Sequence, residues 1–366
     1  MNYPIRPNVR RMAPYVPGKP IEEVKRELGL TEVVKLASNE NPFGPGPKAI
    51  AAVTEAAARM HLYPDASGHD LKVKLATIHG LTPAHVMLGN GSDELIHLLG
   101  LIFLSEGDNM VVGNPTFVRY DAAAHLSDID LRKIPLGSDW RHDLPAMARA
   151  VDERTRLIFV ANPHNPTGTT VSAQEFEAFR ADLPETAVLV LDEAYIEYAE
   201  GDIPNSVDYV RQGARVVALR TFSKAYGLAG IRVGYGLADP EVVDAIDRAR
   251  EPFDVNLLAQ AAALAALDDT DHLAHSVRLN RAGIERIEAV ARELGLSTVP
   301  SHANFVCIDL GRPAKPVFEA LLARGIIIRP GEPLGMPTHI RVSVGTPEEI
   351  EAFVGAFRAI MAPAAV

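Results

Sequence analysis

A chain of 366 residues is too long for one small domain and has room for a large domain with a smaller one beside it. Its 47% hydrophobic and 23% charged residues are the make-up of a globular protein and exclude the disordered and fibrous classes. A formal net charge of −11 argues against a nucleic-acid partner, which needs a basic footprint, but allows a local cationic site for a small anion.

The opening residues, Met1-Asn2-Tyr3-Pro4-Ile5-Arg6, contain no apolar signal core, and no stretch is long enough to span a bilayer. A cytoplasmic protein without a membrane partner is expected. Residues 1–20, with prolines at 4, 7, 14, 17 and 20, read as an extended arm that must pack on something to be ordered. A short helix over Ile21–Leu28 stops at Gly29, a strand covers Val33–Leu36, and a Pro/Gly-rich loop runs from Asn39 to Pro47. From there to about residue 240, helical stretches alternate with short Val- and Ile-rich runs. These are Val86–Gly89, Met110–Gly113, Leu157–Ala161, Val188–Asp192, Val216–Arg220 and Ile231–Gly236. Such runs predict strands buried on both faces of a mostly parallel sheet between helices, an α/β architecture. Beyond 240 the pattern changes to long helices near 240–250, 256–268 and 271–295, then strands at Phe305–Leu310, Ile326–Arg329 and Ile340–Val344, with a helix from Pro316 between the first two. The last helix has a capping box, Thr346 with Glu349, and Pro347 in its first turn. The expected division is an arm and helix over 1–30, a large domain over 31–245 and a smaller α+β domain over 246–366. Cys307, the single cysteine, lies in an apolar run and reads as a buried, inert thiol.

Four segments bear chemistry. Lys224 is the only lysine between Lys133 and Lys315, and it follows a predicted buried strand in Arg220-Thr221-Phe222-Ser223-Lys224-Ala225-Tyr226-Gly227. The C-terminal ends of strands are where α/β folds build sites, and a lysine partly buried beside cationic groups becomes a usable nucleophile. Taken alone, it is equally a surface lysine in a loop. Asp192 ends the apolar strand Val188–Asp192, where a carboxylate needs a cation or a hydrogen-bond donor. A protonated pyridine nitrogen would serve; a capping role or metal ligation are the alternatives, and no clustered His or Cys favours metal. Gly89-Asn90-Gly91-Ser92-Asp93-Glu94 leads from a strand into an apolar helix and offers backbone N–H groups to an anion. It lacks the third glycine of a dinucleotide loop and the lysine of an ATP loop, so a monophosphate suits it better. Asn162-Pro163-His164-Asn165-Pro166-Thr167-Gly168 is a rigid turn in which Asn165 has an amide to spare.

In this order and at these separations, the four segments resemble the fold-type I pyridoxal-phosphate enzymes of the aminotransferase superfamily. Tyr15-Val16-Pro17-Gly18-Lys19-Pro20, Leu36-Ala37-Ser38-Asn39-Glu40-Asn41-Pro42-Phe43-Gly44-Pro45 and Arg220 through Gly230 narrow the resemblance to the histidinol-phosphate aminotransferase family. It implies a seven-stranded, mostly parallel sheet in the large domain and pyridoxal 5′-phosphate as cofactor. Lys224 would be the Schiff-base lysine and Asp192 the partner of the pyridine nitrogen. Tyr195 and Asn165 would bind the ring's phenolic oxygen. Gly91, Ser92 and Asp93 would hold the phosphate, with Ser223 and Arg232 closing over it and Tyr63 reaching it from the neighbouring subunit of a homodimer. Phe117 takes the place of the ring-stacking aromatic, keeping the face and losing a hydroxyl. Arg329, Arg341, Asn165 and, from the arm, Tyr15 would bind substrate. His272 and His275 read as surface residues, without a third metal ligand. The implied reaction passes the amino group of L-histidinol phosphate to 2-oxoglutarate, in histidine biosynthesis. Rivals are a broad or aromatic aminotransferase, a threonine-phosphate decarboxylase, and a non-catalytic binding protein on the same fold.

Overall fold

The computed structural model describes residues 3–12, 14 and 18–362. Its strands are β1 (Val34–Leu36), β2 (Val86–Gly89), β3 (Asn109–Asn114), β4 (Asp130–Pro135), β5 (Thr155–Ala161), β6 (Val188–Asp192), β7 (Val216–Thr221), β8 (Gly234–Leu237), β9 (Ser297–Val299), β10 (Phe305–Asp309), β11 (Ile326–Pro330) and β12 (His339–Ser343). Seven of them form one sheet in the order β2-β8-β7-β6-β5-β3-β4, in which β8 alone runs against the rest. This is the expected mostly parallel, seven-stranded sheet. Alternate residues of a strand serve opposite faces: Leu157 and Phe159 pack into one helix-covered core, Ile158 and Val160 into the other. Burial on both faces is why these strands are continuous apolar runs.

The other five strands form a second sheet, β1-β11-β12-β10-β9, covered by the helices Thr270–Glu293 and Pro347–Met361. The final helix opens with the expected capping box.

Several elements differ from the sequence expectation. β1, expected with the large domain, pairs in parallel with β11 in the second sheet, where Leu36 joins the core around Ile328. The helix Leu257–Ala266, expected with the small domain, instead presents Ala259, Ala262, Ala263 and Ala266 to the core around Val86, Leu88 and Phe222. β4 was not anticipated because, as an edge strand written Asp130-Leu131-Arg132-Lys133-Ile134-Pro135, it has no continuous apolar run. β8 begins at Gly234 and not near 231, since Ala229–Ile231 is a 3₁₀ turn and Arg232 takes a positive φ of 62°. The arm is not wholly extended: Pro7–Arg11 forms a short helix, and Asn8 Nδ2 donates to the carbonyls of His125 and Leu126 at the end of the helix Val118–Ser127. Among the described residues, no helix is long and apolar enough to cross a membrane.

Candidate active site

Each chemistry-bearing segment leaves the C-terminal end of a strand of the larger sheet. Phe117 follows β3, Asn165 follows β5, Asp192 ends β6, Lys224 follows β7 and Ser92 follows β2. Because these strands run in parallel, their ends converge on one cavity of about 840 Å³, closed from the second sheet by Arg329 and Arg341. Ser92, Asp93, Phe117, Asn165, Asp192, Tyr195, Ser223, Lys224 and Arg232 all line it. Val9, Met12 and Leu126 add an apolar wall where the arm docks. Tyr15 lies outside the described residues.

Asp192 is buried, with Oδ2 accepting the Tyr120 hydroxyl at 2.6 Å and Oδ1 accepting the Ala194 amide at 3.2 Å. Burial pushes its carboxyl up to about 6, against the pull of those two donors. A carboxylate in that position is poised to receive a cation. The next residue, Glu193, serves the opposite side of the strand and pairs with Arg220 at 2.7 Å. Tyr120 was not picked out from the sequence. Its signal was an aromatic hydroxyl one turn after Phe117, on the same side of a helix.

The loop after β2 offers less than its glycines suggested. The Gly91 amide donates to the Gly89 carbonyl at 2.7 Å, so the amides presented are those of Ser92 and Asp93, which open the helix Ser92–Phe103 and have no intrahelical acceptor. Gly91, with φ 80°, admits the Arg232 guanidinium: a Cβ there would meet its Nη2 at 2.6 Å. Arg232 stands 3.9 Å from Asp93 and completes a cationic corner with the helix N-terminus.

Lys224 Nζ donates to the Asn39 carbonyl at 3.1 Å. The Tyr195 hydroxyl accepts from Asn39 Nδ2 at 2.9 Å. Asn165 Oδ1 accepts from Arg341 Nη1 at 2.8 Å, leaving its amide NH₂ to donate. Arg329 and Arg341 are direct cross-strand partners of β11 and β12. Arg341 is buried, packs over the Phe305 ring at 4.9 Å and donates to the Ala37 carbonyl, whereas Arg329 is half-buried and makes no hydrogen bond or ion pair among the described residues. Like charges facing across strands are destabilising unless an anion answers both. Beneath the turn after β5, burial keeps His142 and His164 neutral, the former pulled down to about 4.

Tyr63 is not brought to this cavity. It is 81% exposed and stacks on Phe253 with ring centroids 4.6 Å apart. Cys307 is buried, its thiol pushed up to about 12 by burial. His272 meets the Gly44 carbonyl at 3.1 Å, and His275 is exposed against the edge of Phe43.

The model of the family "Aminotransferase class I and II" matches residues 31–357. The chain is 48% identical over 362 residues to histidinol-phosphate aminotransferase 2 of Pseudomonas fluorescens, covering 98% of each chain. It is 47% identical to histidinol-phosphate aminotransferase of Moorella thermoacetica, covering 98% of this chain and 93% of that one. Its fold superposes with a TM-score of 0.90 on the crystal structure of histidinol-phosphate aminotransferase from Sinorhizobium meliloti in complex with pyridoxal-5′-phosphate. That relative is 32% identical, with 99% of this chain and 98% of that one covered. A lysine, a buried carboxylate and a helix-borne anion corner meeting at the strand ends of such a sheet have the same explanation as these likenesses: the chain belongs to the class I and II aminotransferases.

Proposed function

We propose that the chain is a pyridoxal-phosphate-dependent aminotransferase that passes the amino group of L-histidinol phosphate to 2-oxoglutarate, giving imidazole-acetol phosphate and glutamate in histidine biosynthesis. The observation that carries the substrate reading is the cross-strand pair Arg329 and Arg341 in the cavity that holds Lys224 and Asp192. Two cationic forks side by side suit a phosphate on one substrate and a carboxylate on the other. Near-full-length identity of 48% to a histidinol-phosphate aminotransferase supports the same reading.

The donor set fits the cofactor. A buried carboxylate with a raised pKa and, among the described residues, no cationic side chain bonded to it matches a ring-nitrogen cation, and the Ser92 and Asp93 amides with Ser223 and Arg232 match a phosphate dianion. When bound, pyridoxal phosphate supplies an electron-accepting ring that makes the proton on the substrate's amine-bearing carbon removable. Lys224 would hold the cofactor's aldehyde carbon and, once released, carry that proton on Nζ. Asp192 would keep the ring nitrogen protonated, with the Tyr120 hydroxyl holding Asp192 oriented. Tyr195 and Asn165, which line the cavity, would offer hydrogen bonds to the phenolic oxygen, and Phe117 would pack against the ring. Arg341, steadied by Asn165, grips the substrate anion, and Arg329 adds a second fork. The N-terminal arm, whose Val9 and Met12 line the mouth, excludes water from the substrate end.

The site is completed by Tyr63 from a second copy, making the working enzyme an isologous homodimer. Exposure of Met60, Leu62 and Tyr63 close together, large apolar side chains left mostly open to solvent in the single chain, supports this.

The experiment is a half-reaction comparison. Cofactor-loaded protein is mixed separately with L-histidinol phosphate and with phenylalanine, and the change in the cofactor's visible absorbance is followed. Histidinol phosphate should show the higher kcat/KM. Arg329→Ala should cost about 2 kcal/mol, roughly thirtyfold, with histidinol phosphate and less with phenylalanine, a lower-end figure because Arg329 is only half-buried. A wild-type preference for phenylalanine would replace this substrate assignment with an aromatic one.

A further inference from the structure

Asn39 is where the chain leaves β1 for the cavity. It is buried, and its φ of 53° is one that few side chains other than asparagine tolerate. Its backbone N–H donates to Ser343 Oγ at 2.9 Å, and that hydroxyl donates back to Asn39 Oδ1 at 2.8 Å. Its side-chain amide donates to the Tyr195 hydroxyl oxygen at 2.9 Å. Its carbonyl accepts from Lys224 Nζ at 3.1 Å and from Asn304 Nδ2 at 3.0 Å. One residue therefore touches both Lys224 and Tyr195, and its anchor, Ser343, lies on β12 just beyond Arg341.

We infer that Asn39 is a positioning residue of the transamination: it holds the Lys224 amine and sets the direction in which Tyr195 gives its proton. The inference rests on the roles proposed above for Lys224 and Tyr195. The Asn39 amide occupies a lone pair of the Tyr195 oxygen, so the tyrosine's own O–H is left to donate into the cavity. A carboxylate in place of the amide would accept that proton and turn it away from the cavity. The positive φ aims the carbonyl at Lys224; a residue driven back to negative φ would redirect it. Mere joining of the two sheets would need none of this polarity, since an acceptor at the same place would bridge to Ser343 equally well.

Asn39→Asp and Asn39→Gly both accommodate the positive φ, and they separate the two roles. They are compared with wild type, with Tyr195→Phe and with the double variant Asn39→Asp/Tyr195→Phe, all cofactor-loaded. The readouts are the pH midpoint of the cofactor's visible absorbance without substrate, and kcat and KM for glutamate. Asn39→Asp should raise the midpoint by about half a pH unit or more and lower kcat about ten- to hundredfold, with KM changed less than about threefold. Asn39→Gly, which loses the donor without reversing it, should move both in the same direction by less. In the Tyr195→Phe background, Asn39→Asp should move the midpoint no further, because the group it acts through is gone. Wild-type midpoints in both single variants, or an equal shift with and without the Tyr195 hydroxyl, would overturn the inference. Should neither Asn39 variant fold, Ser343→Ala removes the anchor alone, and the same rise or its absence decides the matter. Lys224→Ala serves as the control. Lost turnover there beside unchanged Asn39 variants sinks the role of Asn39 alone, whereas turnover retained in Lys224→Ala sinks the proposed function itself.

Discussion

Asp192 has two hydrogen-bond donors and no cationic partner among the described residues, and burial raises its carboxyl from an ordinary 3.8 to about 6. The raised value makes the proton part of the stability of the cofactor-free fold. The contribution is complete below about pH 3.8, where folded and unfolded states are both protonated, and is lost as pH rises through about 6. The gap corresponds to at most about 3 kcal/mol. Buried His142, pulled down toward 4, works in the opposite sense as pH falls, so wild type is best compared with Asp192→Asn. Between pH 4 and 7 the cofactor-free wild type should lose stability relative to Asp192→Asn in thermal or urea unfolding. Loading with pyridoxal phosphate should cancel that loss by supplying the ring cation. A difference that is flat with pH in the cofactor-free protein would mean that Tyr120 and Ala194 alone satisfy the charge, and the cation-binding role would fall.

At the scale of elements, the site depends on how closely the loop after β7 packs on the loop after β1. Gly227, with φ 70°, closes the Lys224 loop by donating to the Lys224 carbonyl at 3.0 Å, and a Cβ there would sit 2.1 Å from the Gly44 carbonyl oxygen. Backbone cannot give way as the end of a side chain can. Gly227→Ala should therefore cost at least about 2 kcal/mol of stability and loosen cofactor binding, through both the left-handed conformation and the clash. Gly230→Ala, three residues on, has nothing within 4 Å of the added Cβ and no positive φ, so it should stay within about 0.5 kcal/mol of wild type in urea unfolding. Equal stabilities for the two variants would refute the close-packing account. The loop sequences showed that turns stand at these strand ends; they held no sign that the two loops touch.

For the whole molecule, the single chain leaves Tyr63 at the surface on Phe253, away from the cavity it was expected to serve. A shared site predicts complementation. Lys224→Ala protein and Tyr63→Ala protein, each inactive alone, should recover activity on mixing, because one of the two sites in every hybrid dimer carries neither lesion. No recovery after proven subunit exchange would count against the shared site and leave Tyr63 as a surface residue.

The run of apolar residues in β2, β5 and β6 determined by itself that these are strands covered on both faces, and the polar residues that end such runs, Asp192 and the segment of Lys224, marked where a site would form. Local pattern suffices there because burial on both faces must be written into every residue of a strand. Long-range pairing is not written locally. The hydrogen bond from Tyr120 to Asp192 spans 72 positions and that from Ser343 to Asn39 spans 304, so nothing near any of these residues in the chain announces the partner. The same holds for β1, a short strand whose apolar residues would fit the edge of either sheet, and for Arg329 and Arg341, which become neighbours only through the register of β11 on β12. Tertiary structure decided those contacts, because the partner that satisfies a buried polar group is whichever one the packing of distant elements brings within hydrogen-bonding reach.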